Sequence, residues 1–284
     1  MEKTILLNGS EFNPDVIMNS GQVFRMYCEN GIYRALSGSN DVSFFVEGKA
    51  GKVNITFVCE ETQWEFWKKY FDLDADYGKY LRKVKKVAKE CDDEFLLSAL
   101  DYARGMRILK QDTWETFISY MISQNNNIPK IKKTIQILCD RYSDGEKFPE
   151  PEAFALASVD ELASGTALGY RAEYLFLFAK QVIADGGVES LKRFEEMKSD
   201  AAVEELLKIK GVGPKVANCI NLYGLHHMDS YPIDTWMKKI IAEDYKRYSL
   251  KEYMEYIGKY AGFEGFVQQL QFYTKRKSSI KSKS

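Results

Sequence analysis

The chain has no C-x-x-C pair, and its five cysteines (Cys28, Cys59, Cys91, Cys139 and Cys219) are scattered and odd in number. That spacing excludes a disulfide framework and argues against a zinc or iron–sulfur site, so reduced thiols are expected. Histidine is scarce: His226 and His227 are the only two, side by side in a loop-like stretch, and they read as structural rather than catalytic. Neither a metal nor a cofactor is expected. No apolar run comes near the ~18 residues that span a bilayer. The start, MEKTILLNGSEFNPDV, lacks the basic, apolar and small-residue succession of a secretory leader. These absences predict a soluble cytoplasmic protein with no membrane partner. A charge bias is missing too: the formal net charge is −1. That balance argues weakly against nonspecific nucleic-acid binding by the chain as a whole and says nothing about a local basic face, so charge is judged by region.

What is present is enough apolar material, 45% of 284 residues, for one large core or two ordinary ones. The first sixty or so residues contain TILL, GQVFRMYC, GIYRALSG, DVSFFVEG and KVNITFVCEE, rich in Val, Ile, Phe and Tyr and broken by Gly, Asn, Asp and Ser. This spacing predicts an antiparallel meander. After about residue 62 the period becomes helical, beginning with TQWEFWKKYF, where Trp64, Trp67, Tyr70 and Phe71 share one face. Helices are predicted from there to the end, among them 77–90, 93–103, 112–123, 128–142, 170–185, 200–209, 214–224, 234–243, 249–257 and 262–274. The fold class is α+β, with an N-terminal antiparallel sheet unit and flanking helices over 1–98 and a helical body over 99–284. The Ser- and Lys-rich tail TKRKSSIKSKS reads as a frayed terminus.

Chemistry is first suggested by KIKGVGPKVANCINLYG at 208–224. AAVEELLKI forms an amphipathic helix, Gly211-Val-Gly213 breaks it, and Pro214 opens the next helix, where its missing N–H is no loss. Glycines at the turn permit close approach, and free N–H groups at the second helix start suit an anion such as a nucleic-acid phosphate. Lys215 is out of place electrostatically at that positive end. Beside the apolar edge made by Cys219, at i+4, its ammonium is disfavoured, and the neutral amine is the nucleophilic form. Nineteen residues on, Asp234 in SYPIDTWMKKII precedes a further helix; it reads as an N-cap, and its carboxylate also suits stabilising positive charge nearby.

LLKIKGVGPKVANCINLYG followed by YPIDTWMKKI resembles the helix–hairpin–helix, Gly/Pro loop and aspartate motif of base-excision DNA glycosylases. With SGQVFR at 20–25, KYFDLD at 69–74, QDTWETFISYMISQNNNI at 111–128 and LGYRAEYL at 168–175, the chain is similar nearly throughout to the 8-oxoguanine DNA glycosylase/AP lyases. The resemblance implies a sheet domain packed on a helical body. It implies a monomer acting on duplex DNA that carries 8-oxoguanine, without a cofactor. It makes Lys215 the nucleophile at deoxyribose C1′ and Asp234 the stabiliser of an oxocarbenium-like transition state. The base must leave the stack to be reached. Its N7 is a donor in the lesion and an acceptor in guanine, so the Gly21 carbonyl would tell them apart. Gln268 would read the Watson–Crick edge, with Phe272 and Cys219 on opposite faces of the base; AGF at 261–263 and EGF at 264–266 both fit as anchors of that helix. Asn125 would fill the gap and Tyr170 wedge the duplex, with Lys130, Arg171, Gly211 and Gly213 as further opposite-base and DNA contacts.

Two positions depart from the eukaryotic pattern: Lys130 stands where that pattern has arginine, and Trp236 where it has histidine. Lys215 disfavours the alkylated-purine branch of the superfamily, and the absence of cysteine after Cys219 disfavours the branch with a four-cysteine cluster. A catalytically silent hairpin that only holds DNA is the rival of a different class.

Overall fold

The computed structural model describes residues 1–48 and 51–281. Alternating apolar residues build one antiparallel sheet from β1 (Glu2–Asn8), β2 (Met26–Glu29), β3 (Ile32–Ser37), β4 (Asn40–Glu47) and β5 (Lys52–Val58), in spatial order β1-β5-β4-β3-β2. β2 to β5 form the predicted meander, and β1 joins its outer side, with the Thr4 and Thr56 hydroxyls 2.9 Å apart. Register puts Phe44 opposite both Tyr33 and Phe57. The buried face of the sheet packs these rings with Phe12, Trp67 and Phe71.

The segment read as a strand from Gly21 pairs only from Met26 onward. Its earlier polar groups are taken by the helical side. Gln22 is fully buried; its Nε2 donates to the Arg107 carbonyl at 2.8 Å, its Oε1 accepts from the Leu109 N–H at 2.8 Å, and its own carbonyl accepts from Gln111 Nε2 at 2.7 Å. A short helix, Pro14–Asn19, precedes it and was not foreseen, although Asn13 and Pro14 carry its start signal: the Asn13 side chain accepts from the Asp15 and Val16 N–H groups.

Beyond β5 the described chain is helical, and side-chain caps set many helix starts, including Asp93, Asp112, Asn127, Asp234 and Ser249. The last helix runs Glu264–Lys281, past the predicted fraying point, because Lys275 pairs with Asp244 at 2.6 Å and Glu243 at 2.9 Å, and Arg276 donates to the Asn19 carbonyl at 2.9 Å. Residues 282–284 of the tail lie outside the described residues. Among the described residues, no helix is long and apolar enough to cross a membrane.

Two apolar clusters result, one under the sheet and a larger one among the helices. Arg107 stitches them: fully buried, it donates to the carbonyls of Glu11 at 2.8 Å, Phe71 at 3.2 Å and Asp72, and lies 4.3 Å from the Tyr77 ring centre. A division at residue 98 passes through the helix Glu94–Tyr102, whose Leu96 and Ala99 belong to the helical cluster. The sheet cluster takes in Leu109 from beyond that helix, while Val16 and Phe24 from before β2 pack in the helical cluster, so the two units interleave in sequence.

Candidate functional site

The hairpin supplies the first wall. Gly211 follows the helix Ser199–Leu206 with φ +88°, and a Cβ there would lie 2.4 Å from Tyr174 Cδ2, so no other residue fits. Gly213 caps the helix Pro214–Tyr223 with ordinary extended backbone and open space around it. From the first turn of that helix, Lys215 Nζ donates to Ser123 Oγ at 2.9 Å and lies 5.2 Å from the centre of the Tyr120 ring. The Ser123 hydroxyl proton goes to the Tyr120 carbonyl at 2.7 Å, so its oxygen is left to accept from the lysine.

Asp234 caps the helix Thr235–Glu243, accepting from the Met237 N–H at 2.9 Å. Burial holds its carboxyl above the usual carboxylate range, while that N–H and the nearby Lys215 charge pull the other way. Cys219, one turn after Lys215, is buried, and burial raises its thiol to about 11 against the pull of Lys215; it is a neutral, apolar wall.

Lys215, Asp234, Cys219, Gly21, Gln268 and Phe272 all line one cleft of about 580 Å³. The six residues come from four separate parts of the chain. Gly21 has φ +85°, and a Cβ there would meet Ile128 Cδ1 at 3.0 Å and the Phe272 ring at 3.2 Å, so the close approach of backbone to the Phe272 ring needs glycine. Gln268 is buried, and its Nε2 donates to the Pro232 carbonyl at 3.1 Å.

The asparagine turn lies at the mouth of the cleft. Asn125 takes a left-handed φ of +46° and donates through Nδ2 to the Tyr170 hydroxyl at 3.2 Å; Asn125 is exposed and Tyr170 half exposed. Arg171 is turned inward, donating to the carbonyls of Gln124 at 2.8 Å, Leu168 at 2.9 Å and Asn125 at 3.3 Å. Lys130 is exposed on the first turn of the helix Ile128–Tyr142, whose cap Asn127 accepts its N–H at 3.1 Å. Trp236 and Lys238 also line the cleft. His226 stands apart, 3.3 Å from Asp72.

Sequence reasoning missed Tyr120, Ser123, Gln124 and Gln269. The first three sit in the helix and turn around SYMISQNNN, but only the folded chain shows that Ser123 meets Lys215 and that Gln124 Nε2 donates to the Gly211 carbonyl at 2.9 Å.

Residues 4–117 match the family model of the 8-oxoguanine DNA glycosylase N-terminal domain, and 193–223 that of the helix-hairpin-helix motif. The N-glycosylase/DNA lyase of Saccharomyces cerevisiae is 29% identical over 204 residues, 64% of this chain and 54% of that protein. The N-glycosylase/DNA lyase OGG1 of Arabidopsis thaliana is 30% identical over 191 residues, 60% and 52% respectively. The chain thus spans about half the length of the curated relatives it matches. Among solved structures, the 8-oxoguanine glycosylase/lyase of Clostridium acetobutylicum, in complex with double-stranded DNA containing cytosine opposite 8-oxoguanine, is 30% identical with a TM-score of 0.82, over 99% of this chain and 98% of that one. The structure of MBOgg1 with a low-affinity DNA ligand is 32% identical with a TM-score of 0.85, over 98% and 96%. The 3-methyladenine DNA glycosylase of Archaeoglobus fulgidus, 18% identical with a TM-score of 0.74, shares the fold.

A sheet unit docked on a helical body, with a lysine-bearing hairpin facing a capping aspartate, defines a helix–hairpin–helix DNA glycosylase. Within that class the chain belongs to the 8-oxoguanine DNA glycosylase/lyase family.

Proposed function

We propose that the chain removes 8-oxoguanine from duplex DNA and then cleaves the strand at the emptied sugar, with Lys215 as nucleophile. The observation that carries this reading is the cleft itself, which brings together the amine of Lys215, the carboxylate of Asp234, Gly21, the Phe272 ring and the Gln268 amide. The Lys215 amine attacks deoxyribose C1′, the C1′–N9 bond breaks, and its electron pair leaves with the base. Loss of a proton from nitrogen and opening of the sugar give a C1′ imine; removal of a C2′ proton then expels the 3′ phosphate. Asp234 stabilises the positive charge that develops at the sugar. The Gly21 carbonyl accepts from the lesion's N7–H, Phe272 and Cys219 enclose the base, and Gln268 reads its edge. Asn125 and Tyr170 occupy the vacated stack, and the hairpin from Gly211 to Gly213 holds phosphate.

The test is borohydride trapping on end-labelled lesion duplex. Wild type should give base release, a nick and a covalent adduct. Lys215→Gln should give none of these while retaining duplex binding, and a variant that traps at the wild-type level would assign the chemistry to another amine.

The opposite base is read less strictly than by an arginine-bearing relative. Lysine is a flexible point charge, whereas arginine presents a planar fork. A bidentate contact is worth about 1–3 kcal/mol of discrimination, and each 1.4 kcal/mol lost relaxes the preference about tenfold. Exposed Lys130 supplies part of that and Asn125 the rest. Single-turnover excision opposite each of the four bases should show a modest cytosine preference that Lys130→Arg sharpens; strict cytosine selectivity in the wild type would refute it.

A further inference from the structure

An amide placed in a pocket is ambiguous, because its oxygen and nitrogen ends are nearly equal in size while one accepts and the other donates. Around Gln268 the ambiguity is removed by its neighbours. The Pro232 carbonyl can only accept, so the nitrogen end of Gln268 must face it. Gln268 Oε1 is then met by Gln269 Nε2 at 3.0 Å, and that same nitrogen donates to the Tyr223 hydroxyl. Tyr223 is in turn stacked on Tyr120, with ring centres 5.4 Å apart and planes 17° from parallel.

Gln269 is 2% exposed, and its own Oε1 has no hydrogen-bond partner. Turning its amide over would satisfy that oxygen at the Tyr223 hydroxyl but set it against Gln268 Oε1, two acceptors face to face. The arrangement therefore leaves one buried acceptor unpaired, which is costly, and keeps the Gln268 oxygen fixed. Resting on the reading of the cleft as a base pocket, we propose that Gln269 is a positioning residue that fixes the amide orientation of Gln268 and so determines which Watson–Crick edge is accepted. Held at both ends, Gln268 has one N–H and one oxygen lone pair left, each at a known end. A guanine-type edge, with its O6 acceptor beside the N1–H donor, meets that pattern; an adenine-type edge, with a 6-amino donor beside the N1 acceptor, presents each group to the wrong end.

Single-turnover excision of 8-oxoguanine and of 8-oxoadenine, whose edge exchanges the donor and the acceptor, tests this in wild type, Gln269→Leu and Gln269→Glu. Strand cleavage at a preformed abasic site, which has no base to read, is followed in parallel. Gln269→Leu should slow 8-oxoguanine excision about tenfold, the equivalent of one hydrogen bond, and narrow the gap between the two bases. Gln269→Glu, which turns an acceptor toward the Gln268 oxygen, should lose more. Cleavage at the abasic site should stay within about twofold of wild type. Wild-type excision and discrimination in Gln269→Leu would overturn the inference, as would parallel loss of abasic-site cleavage, which would make Gln269 a packing residue. A wild-type protein that removes neither base would overturn the underlying function instead, and the inference with it.

Discussion

In the proposed reaction Asp234 carries two duties that pull against each other. Its carboxylate caps the helix Thr235–Glu243 through the Met237 N–H, and it faces the cleft where burial disfavours its charge. A carboxyl whose folded pKa is raised above its unfolded value contributes stability that is present below the unfolded pKa and lost as pH rises through the folded one. At neutral pH the ionised form, which the proposed chemistry requires, is therefore the less stable one for the fold. Asp234→Asn should melt no lower than wild type near neutrality, since asparagine caps as well, and this advantage should shrink in acid. Its single-turnover excision should fall about a hundredfold and lose the acid limb that wild type shows above the ordinary carboxylate range. A variant that melts lower, or that keeps the limb, would refute the assignment. Lys215 and Asp234 are legible in sequence because each stands inside a local motif whose chemistry is unusual for its position. Ser123 and Gln269 are not, because their meaning comes from partners distant in sequence: Lys215, 92 residues from Ser123, and Tyr223, 46 residues from Gln269.

At the scale of the element, the hairpin separates two glycines that look alike in sequence. Gly211 has a left-handed φ and no room for a methyl group beside Tyr174; Gly213 has neither constraint. Gly211→Ala should therefore cost roughly 2 kcal/mol or more, and Gly213→Ala less than about 1 kcal/mol, measured by urea unfolding; the reverse order would refute this account of the turn. Helix periodicity and cap residues made the body readable: the helix starts at Tyr77 and Ile128 fall where the pattern put them. The stretch from Gly21 to Arg25 was misread because its β-like composition was outweighed by tertiary hydrogen bonds from Gln22, and Pro14–Asn19 was missed because six residues hold too little period to register.

At the scale of the molecule, Gly21 lies between two sheet strands in sequence but packs on the helical side, against Ile128 and Phe272. Its neighbour Gln22 is pinned to the carbonyl of Arg107, and Lys215 stands on the helix Pro214–Tyr223. Arg107 is thus a joint between the sheet unit and the helical body, and its carbonyl anchors the residue next to Gly21. Replacing it by methionine leaves the carbonyls of Glu11, Phe71 and Asp72 without their donor. Arg107→Met should lower stability by about 3 kcal/mol. It should also blur the distinction between 8-oxoguanine and guanine more than it slows cleavage at an abasic site. Equal loss of both activities would show that the joint supports the whole fold rather than the alignment of its halves. The sheet and helical units were readable from the change of period, but this joint was not: Arg107 stands in an unremarkable stretch, and only its burial reveals it.

The bonds made by Gln124 carry a consequence best put as measurement. Its side chain grips the Gly211 carbonyl, its own carbonyl is gripped by Arg171, and the adjoining Asn125 touches Tyr170. In the proposed reaction the asparagine turn, Tyr170 and the hairpin that bears Lys215 act as the jaws of one calliper, with its gauge set by protein rather than by the duplex between them. Such a tool does not adjust to its object. The DNA does the yielding, so a lesion in a soft, easily kinked step seats in the jaws sooner than the same lesion in a stiff one.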